Sequence, residues 1–234
     1  MLEVRGLRAG YGQTPVLHGI DLDVAEGEFV VIIGPNGHGK TTLLRTISGL
    51  VPASGGSMRF AGERIDGRPP EAIARMGLVH IPQGDLPFGD MTVEENLVMG
   101  AFARSTWAER GRRLERVYEL FPQLAQRRAQ RARTLSGGER RMLALGRGLV
   151  SDARMLMIDE PSLGLAPVLV SEVYRRIAAI VETGVTLLLV EENFSHVRGF
   201  DARVLLLESG RIVREGRVAD LLADEAVMAT YLGA

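Results

Sequence analysis

The 234-residue sequence predicts an α/β fold: a core with a mainly parallel sheet, an antiparallel β flap at its start and a helical subdomain inserted in its middle. Three observations carry that reading. Short apolar, β-branched runs recur along the chain: "EFVVIIG", "MGLVHIPQ", "ARMLMIDEP", "GVTLLLVEE" and "DARVLLLESGRIV". Several are apolar at nearly every position, as strands covered on both faces of a parallel sheet are. Helix-like stretches, Thr41–Leu50 and Val168–Thr183 among them, lie between the runs, and such alternation belongs to a layered α/β core.

Taken in order, the opening "LEVRGLRAGY" through "HGIDLDVAEGEF" reads as short strands with turns, the flap. The strand-and-helix alternation follows. From about Met91 to Val150 the pattern becomes helical. Thr92 followed three residues later by Glu95 is a capping-box start, and "WAERGRRLERVYELFPQLAQRRAQRA" continues as a helical, arginine-rich stretch. Glutamates interleave those arginines, so they read as a solvated face rather than a nucleic-acid patch. The expected organisation is one domain in two parts: an α/β core from residues 1–84 plus 151–234, and a helical part from 85–150.

Bulk composition narrows the function classes. Apolar residues make up 46% and charged residues 24%, the balance of a soluble globular protein. A formal net charge of −1 offers no overall attraction to nucleic acid or anionic lipid. The absence of cysteine excludes disulfides and thiolate metal sites and fits a reducing compartment. "MLEVRGLRAGYG" has charges and glycines where a signal peptide needs an apolar core, and no apolar run approaches the ~18 residues of a membrane span. The expectation is a soluble protein that works at a membrane only through a partner.

The chemistry concentrates at Lys40. It is the only lysine in the chain, against 27 arginines (28 Lys+Arg less one). Gly34-Pro35-Asn36-Gly37-His38-Gly39-Lys40-Thr41 fits G-x-x-x-x-G-K-[ST] between an apolar strand and a helix, the context this phosphate-binding loop needs. Its glycines let backbone N–H groups of Asn36, Gly37, Gly39, Lys40, Thr41 and Thr42 converge on an anion, and the helix start adds its dipole. Lysine reaches between phosphates as a point charge where an arginine fork would crowd the cradle. The Thr41 hydroxyl suits a Mg²⁺ position. These features make the core a P-loop NTPase. A second apolar strand, "MLMIDEP", ends in Asp159-Glu160, carboxylates suited to a second Mg²⁺ anchor and a general base respectively.

"LSGGE" at Leu135–Glu139, about twenty residues before Asp159, resembles the signature of ABC-type ATPases, with matching order and spacing along nearly the whole chain. The resemblance implies ATP as substrate with Mg²⁺, Tyr11 as the aromatic under adenine, Gln83 as a catalytic and metal-contacting glutamine, and Ser162–Leu165 as the D-loop. It also implies that Ser136, Gly137 and Gly138 complete the site of a second ATPase subunit in a head-to-tail dimer. "DEPSLGLAP", "LLLVEEN", "MTVEENLVMGA", "MLALGRGL" and the final "YLGA" resemble the shorter ATPase subunit of branched-chain amino acid importers. Transmembrane permease subunits, an indirectly associated substrate-binding protein, and a place on the cytoplasmic face of the membrane follow as expectations, with no nucleic-acid partner.

Four positions depart from the family pattern. Glu192 stands where most ABC ATPases carry a histidine facing the γ-phosphate, and a carboxylate there repels unless protonated or turned away. His196, four residues on, reads as a solvated or core histidine. Leu165 replaces the D-loop aspartate, Gln83-Gly84-Asp85 replaces a glutamate followed by arginine, and His38 stands where a small residue is usual and is expected to point outward. The competing classes are a soluble ABC ATPase acting on DNA or the ribosome, and a P-loop kinase or GTPase switch. The chain lacks the coiled-coil insertion or tandem domains of the first, and "LSGGE" counts against the second.

Overall fold

The computed structural model of the protein describes residues 1–84, 87–225 and 227, so Asp85 and the terminal Tyr231–Ala234 lie outside the described residues. The chain opens with β1 (Leu2–Tyr11) and β2 (Thr14–Val24), paired antiparallel across the Gly12 turn. Leu2, Val4, Leu7 and Ala9 are buried while Glu3, Arg5 and Arg8 face water, the period-two pattern of a sheet covered on one side. Of the expected short flap strands, these two instead run ten and eleven residues, with β-bulges absorbing their twist. Next come β3 (Phe29–Ile33), α1 (Lys40–Ile47), β4 (Ala53–Phe60) and β5 (Glu63–Arg64). The last two join the flap, whose strand order is β2-β1-β4-β5.

The middle of the chain gives α2 (Pro70–Arg75), β6 (Leu78–Ile81), α3 (Val93–Val98), α4 (Arg104–Ala108), α5 (Arg110–Leu120), α6 (Pro122–Ala125) and α7 (Gly137–Val150). The Thr92–Glu95 capping box is present in both directions: Glu95 N–H donates to Thr92 Oγ1 at 3.2 Å and Thr92 N–H to Glu95 Oε2 at 2.7 Å. Then follow β7 (Met155–Asp159), α8 (Pro167–Glu182), β8 (Thr186–Glu191), β9 (Arg203–Glu208), β10 (Arg211–Arg217) and α9 (Val218–Leu222). The single run "DARVLLLESGRIV" thus folds as a hairpin of two strands, turning at Ser209 and Gly210, both in the left-handed region.

Among the described residues the second sheet has the order β10-β9-β3-β8-β7-β6, parallel except at β10. Its inner strands β3, β7, β8 and β9 are buried on both faces, β10 is largely exposed, and alternate residues of the inner strands feed two separate cores. Phe29, Val31 and Ile33 pack with the helices α3, α5, α7 and α8, while Val30 and Ile32 pack with α1 and the flap. Near-continuous apolar runs are what such strands require. Register then sets the site: Ile33 lies beside Glu191, Asp159 beside Val190, and Ile81 beside Ile158, so the loops after β3, β6, β7 and β8 emerge at one edge. No helix among the described residues is long and apolar enough to cross a membrane.

Candidate functional site

At that edge a cleft of about 440 Å³ is lined by Tyr11, Asn36, Gly37, Gly39, Lys40, Thr41, Thr42, Arg45, Gln83 and Glu160, with Val16 beneath. The loop after β3 is shaped by Gly37 and Gly39, with φ of +81° and +105°. Side chains rarely adopt either value, so glycine belongs at both places. Gly39 caps α1 without any side-chain hydrogen bond, so the helix start keeps its N–H groups for a ligand.

Lys40 is 3% exposed, and its Nζ has three acceptors: Gly34 C=O at 2.7 Å, Pro35 C=O at 3.1 Å and Glu160 Oε1 at 2.9 Å. An ammonium has three donors, and all are matched here. A planar guanidinium has five in a fixed fork and would leave some buried and unpaired. That mismatch accounts for lysine at this one position of an otherwise arginine-using chain.

The carboxylates come from the end of β7. Asp159 Oδ1 accepts from Thr41 Oγ1 at 3.1 Å. Burial pushes the Asp159 carboxyl up to about 6, against the Thr41 hydrogen bond and with the charge of Glu160 adding to the rise. Its Oδ2 is buried without a hydrogen-bond partner. An unsatisfied carboxylate oxygen beside a threonine hydroxyl is a donor set that suits a hard divalent cation such as Mg²⁺. Glu160 has a φ of +43°, and its N–H donates to Val190 C=O at 3.0 Å. This strained backbone turns its side chain from the strand end to Lys40. Gln83, after β6, donates from Nε2 to Glu160 Oε2 at 2.9 Å.

Tyr11, at the end of β1, is 47% exposed and receives a long hydrogen bond of 3.5 Å from Thr42 Oγ1. Its ring thus offers an apolar surface at the cleft mouth. Ser136, Gly137 and Gly138 do not line the cleft. They form the start of α7, where Ser136 and Glu139 make a second capping box and Arg127 Nε holds Glu139 at 2.6 Å. Ser136-x-x-Glu139 is the same sequence signal as Thr92-x-x-Glu95, and it could have been read in advance. Leu165 packs beside Gly137, giving the missing D-loop aspartate an apolar contact in its place.

Four further outcomes differ from the sequence reading or extend it. The Glu192 carboxylate is held by the phosphate loop: its Oε2 accepts from Asn36 Nδ2 at 2.8 Å. His38 does not point outward. Its Nδ1 accepts from Ser209 N–H at 3.2 Å and its C=O from Gly210 N–H at 3.0 Å, because the β9–β10 turn crosses beside the loop. His196 lies against Tyr174 with ring centroids 5.1 Å apart and the rings tilted by 36°, and its side chain is 24% exposed, between the solvated and core placements expected. Arg45 was missed; it lines the cleft one helical turn after Thr41, and the i, i+4 spacing was the available signal.

The family model described as ABC transporter matches residues 17–163, more than half of the chain. The chain belongs to that family. This ABC subunit is 42% identical over 233 residues to the high-affinity branched-chain amino acid transport ATP-binding protein BraG of Pseudomonas aeruginosa, with all of both chains covered. It is 36% identical to a probable branched-chain amino acid transport ATP-binding protein LivF of Archaeoglobus fulgidus, covering 96% of this chain and 95% of that one. Among solved structures it resembles the ADP conformation of an ATP-binding cassette of an ABC transporter, with a TM-score of 0.86, 27% identity, and coverage of 100% and 99%. The ABC subunit is therefore an ATP-binding ATPase, homologous to those of branched-chain amino acid transporters.

Proposed function

We propose that this subunit binds ATP with Mg²⁺ in the cleft and hydrolyses it to drive uptake of branched-chain amino acids through membrane permease subunits. The observation that carries the chemistry is the hydrogen-bonded cluster in which Gln83 and Thr41 join the buried Lys40, Asp159 and Glu160 at one edge of the sheet. The cargo rests on the relatives' names.

Each residue then has a task. Backbone N–H groups from Asn36, Gly37, Gly39, Lys40, Thr41 and Thr42 cradle the phosphates, and Tyr11 stacks on adenine. Lys40 moves from Glu160 to the β- and γ-phosphates. Thr41, Asp159 and Gln83 would hold Mg²⁺, which would supply neutralisation of charge on the phosphate oxygens. Glu160, released by Lys40, takes a proton as the water oxygen attacks the γ-phosphorus and ADP leaves. Gln83 steers Glu160 and links the site to the helical part.

Ser136, Gly137 and Gly138 serve the γ-phosphate of a second ABC ATPase subunit, a homologue or another copy, in a head-to-tail dimer. Residues 1–84 with 151–234 act as the nucleotide-binding core, and 85–150 as the signature arm. Half-exposed Phe88, Met99 and Phe102 flank a groove between β6 and α7, an apolar surface suited to a membrane subunit. A substrate-binding protein joins indirectly, and the subunit lies peripherally at the cytoplasmic face. No nucleic-acid partner is proposed, and the charge pairing on the arginine-rich part supports this: Arg113 pairs with Glu109 and Asp152, Arg127 with Glu139, and Arg133 with Asp90. Tagging the chain in native membranes and purifying gently tests this. Two multi-span proteins and a second ATPase are expected in equal amounts, with leucine uptake lost on deletion. Ribosomes or DNA as the stoichiometric partner would overturn it.

A further inference from the structure

Glu191 is 2% exposed and stands at the end of β8, outside the cleft lining. Its Oε1 accepts from Ser162 Oγ at 2.9 Å and from the Tyr174 hydroxyl of α8. Its Oε2 accepts from Glu192 N–H at 3.2 Å, and His196 Nδ1 lies 3.6 Å away, beyond hydrogen-bond distance. Burial, reinforced by the Glu191 charge, pushes the Tyr174 phenol far up, so it remains a donor to the carboxylate. The backbone extends the same junction: Glu191 C=O accepts from Gly34 N–H at 3.2 Å, and the neighbouring Val190 C=O from Glu160 N–H at 3.0 Å.

One carboxylate thus joins the loop that follows Glu160 to residue 192, whose own side chain holds Asn36. We infer that Glu191 is a positioning residue: its buried carboxylate clamps Ser162 and Glu192 so that Glu160 and the phosphate loop stay in register. It touches no reacting atom, and it acts through the segments it holds. A burial of this depth for a carboxylate is costly unless donors surround it, and here the donors come from three separate elements. A hydrophobic residue of the same volume would fill the space and hold none of them. The inference rests on the nucleotide-site reading above.

The amide of Glu191→Gln presents N–H groups to donors on one side and so opens the clamp while keeping the shape. In the full-length chain, ATP turnover and the affinity for a fluorescent ATP analogue separate the possibilities. Glu191→Gln is expected to lower kcat about tenfold with nucleotide affinity within about twofold, because misplacement of a base costs rate rather than binding. Ser162→Ala is expected to lower kcat about threefold, and the double variant to be no slower than Glu191→Gln alone, the non-additivity of one shared clamp. Wild-type kcat in Glu191→Gln, or losses that multiply in the double variant, would overturn the inference. If Glu191→Gln does not fold, Ser162→Ala and Tyr174→Phe decide, and unchanged kcat in both overturns it. Lys40→Ala is run alongside: turnover surviving there condemns the nucleotide-site reading itself, whereas a dead Lys40→Ala beside an unaffected Glu191→Gln condemns the clamp alone.

Discussion

Glu160→Gln removes one charge from the buried cluster and changes almost nothing in shape. Lys40 keeps Gly34 C=O, Pro35 C=O and the new amide oxygen as acceptors, so no cation is orphaned. What is lost is the difference between a charge-assisted and a neutral hydrogen bond, about 1 kcal/mol. Gln83, which donates to the other carboxylate oxygen, can rotate its amide to accept instead. Stability should therefore fall by about 1 kcal/mol, far from the ~3–5 kcal/mol of a broken buried pair. The same difference works for the ligand, since a phosphate must draw Lys40 away from residue 160. A neutral partner releases it more readily, and ATP affinity should rise about fivefold. Turnover loses its base and should fall by about 10²–10⁴-fold. Steady-state phosphate release, fluorescent-nucleotide titration and size exclusion with ATP read the three effects, the last as an ATP-locked dimer. Turnover within about tenfold of the unsubstituted chain would refute Glu160 as the base.

Removing the other partner is harsher. Lys40→Ala leaves the Glu160 carboxylate 4% exposed with Gln83 as its remaining side-chain donor among the described residues. A loss of about 3 kcal/mol, or roughly 10 °C in Tm, should accompany loss of ATP binding, read by calorimetry and by titration. Tyr11→Ala should weaken ATP binding about fivefold and Tyr11→Phe hardly at all, if the ring is what contributes. Acid should destabilise the fold through His80, whose Nδ1 lies 3.2 Å from Ser48 Oγ. Burial, with the Arg45 charge behind it, holds His80 down at about 4. An unfolded histidine titrates near 6.5, so between these values the unfolded chain takes up the extra proton and stability drops with pH. The total by pH 4 is about 3 kcal/mol. Asp159, raised to about 6, opposes this by taking up its proton in the folded chain first, so the test is a comparison: between pH 7 and pH 4, urea melts of His80→Asn should lose about 3 kcal/mol less stability than those of the unsubstituted chain.

Much of this molecule is decided by residues within a few positions of one another. The phosphate loop, the helix after it and the capping boxes at Thr92–Glu95 and Ser136–Glu139 are local hydrogen-bond patterns, so their spacing alone predicts them. The strands of the central sheet were legible for a related reason: burial on both faces demands apolar side chains at successive positions. Even the separate carboxylates of Asp159 and Glu160 could be placed, because strand ends in such sheets share one edge.

Other features had no local signal. The flap takes β4 and β5 from beyond α1, and β-bulges let its first two strands run long. His38 meets Ser209 across 171 positions, Asn36 meets Glu192 across 156, and Lys40 meets Glu160 through the register of β3, β8 and β7. The clamp at Glu191 draws on a loop, a helix and a strand end. Sequence determined which chemical groups the site contains, since glycine, lysine, hydroxyl and carboxylate each have a distinct capacity for bonding. Tertiary structure decided which of them satisfy each other, because a hydrogen bond depends on positions held to within a few tenths of an ångström, and only closure of the whole sheet sets those positions.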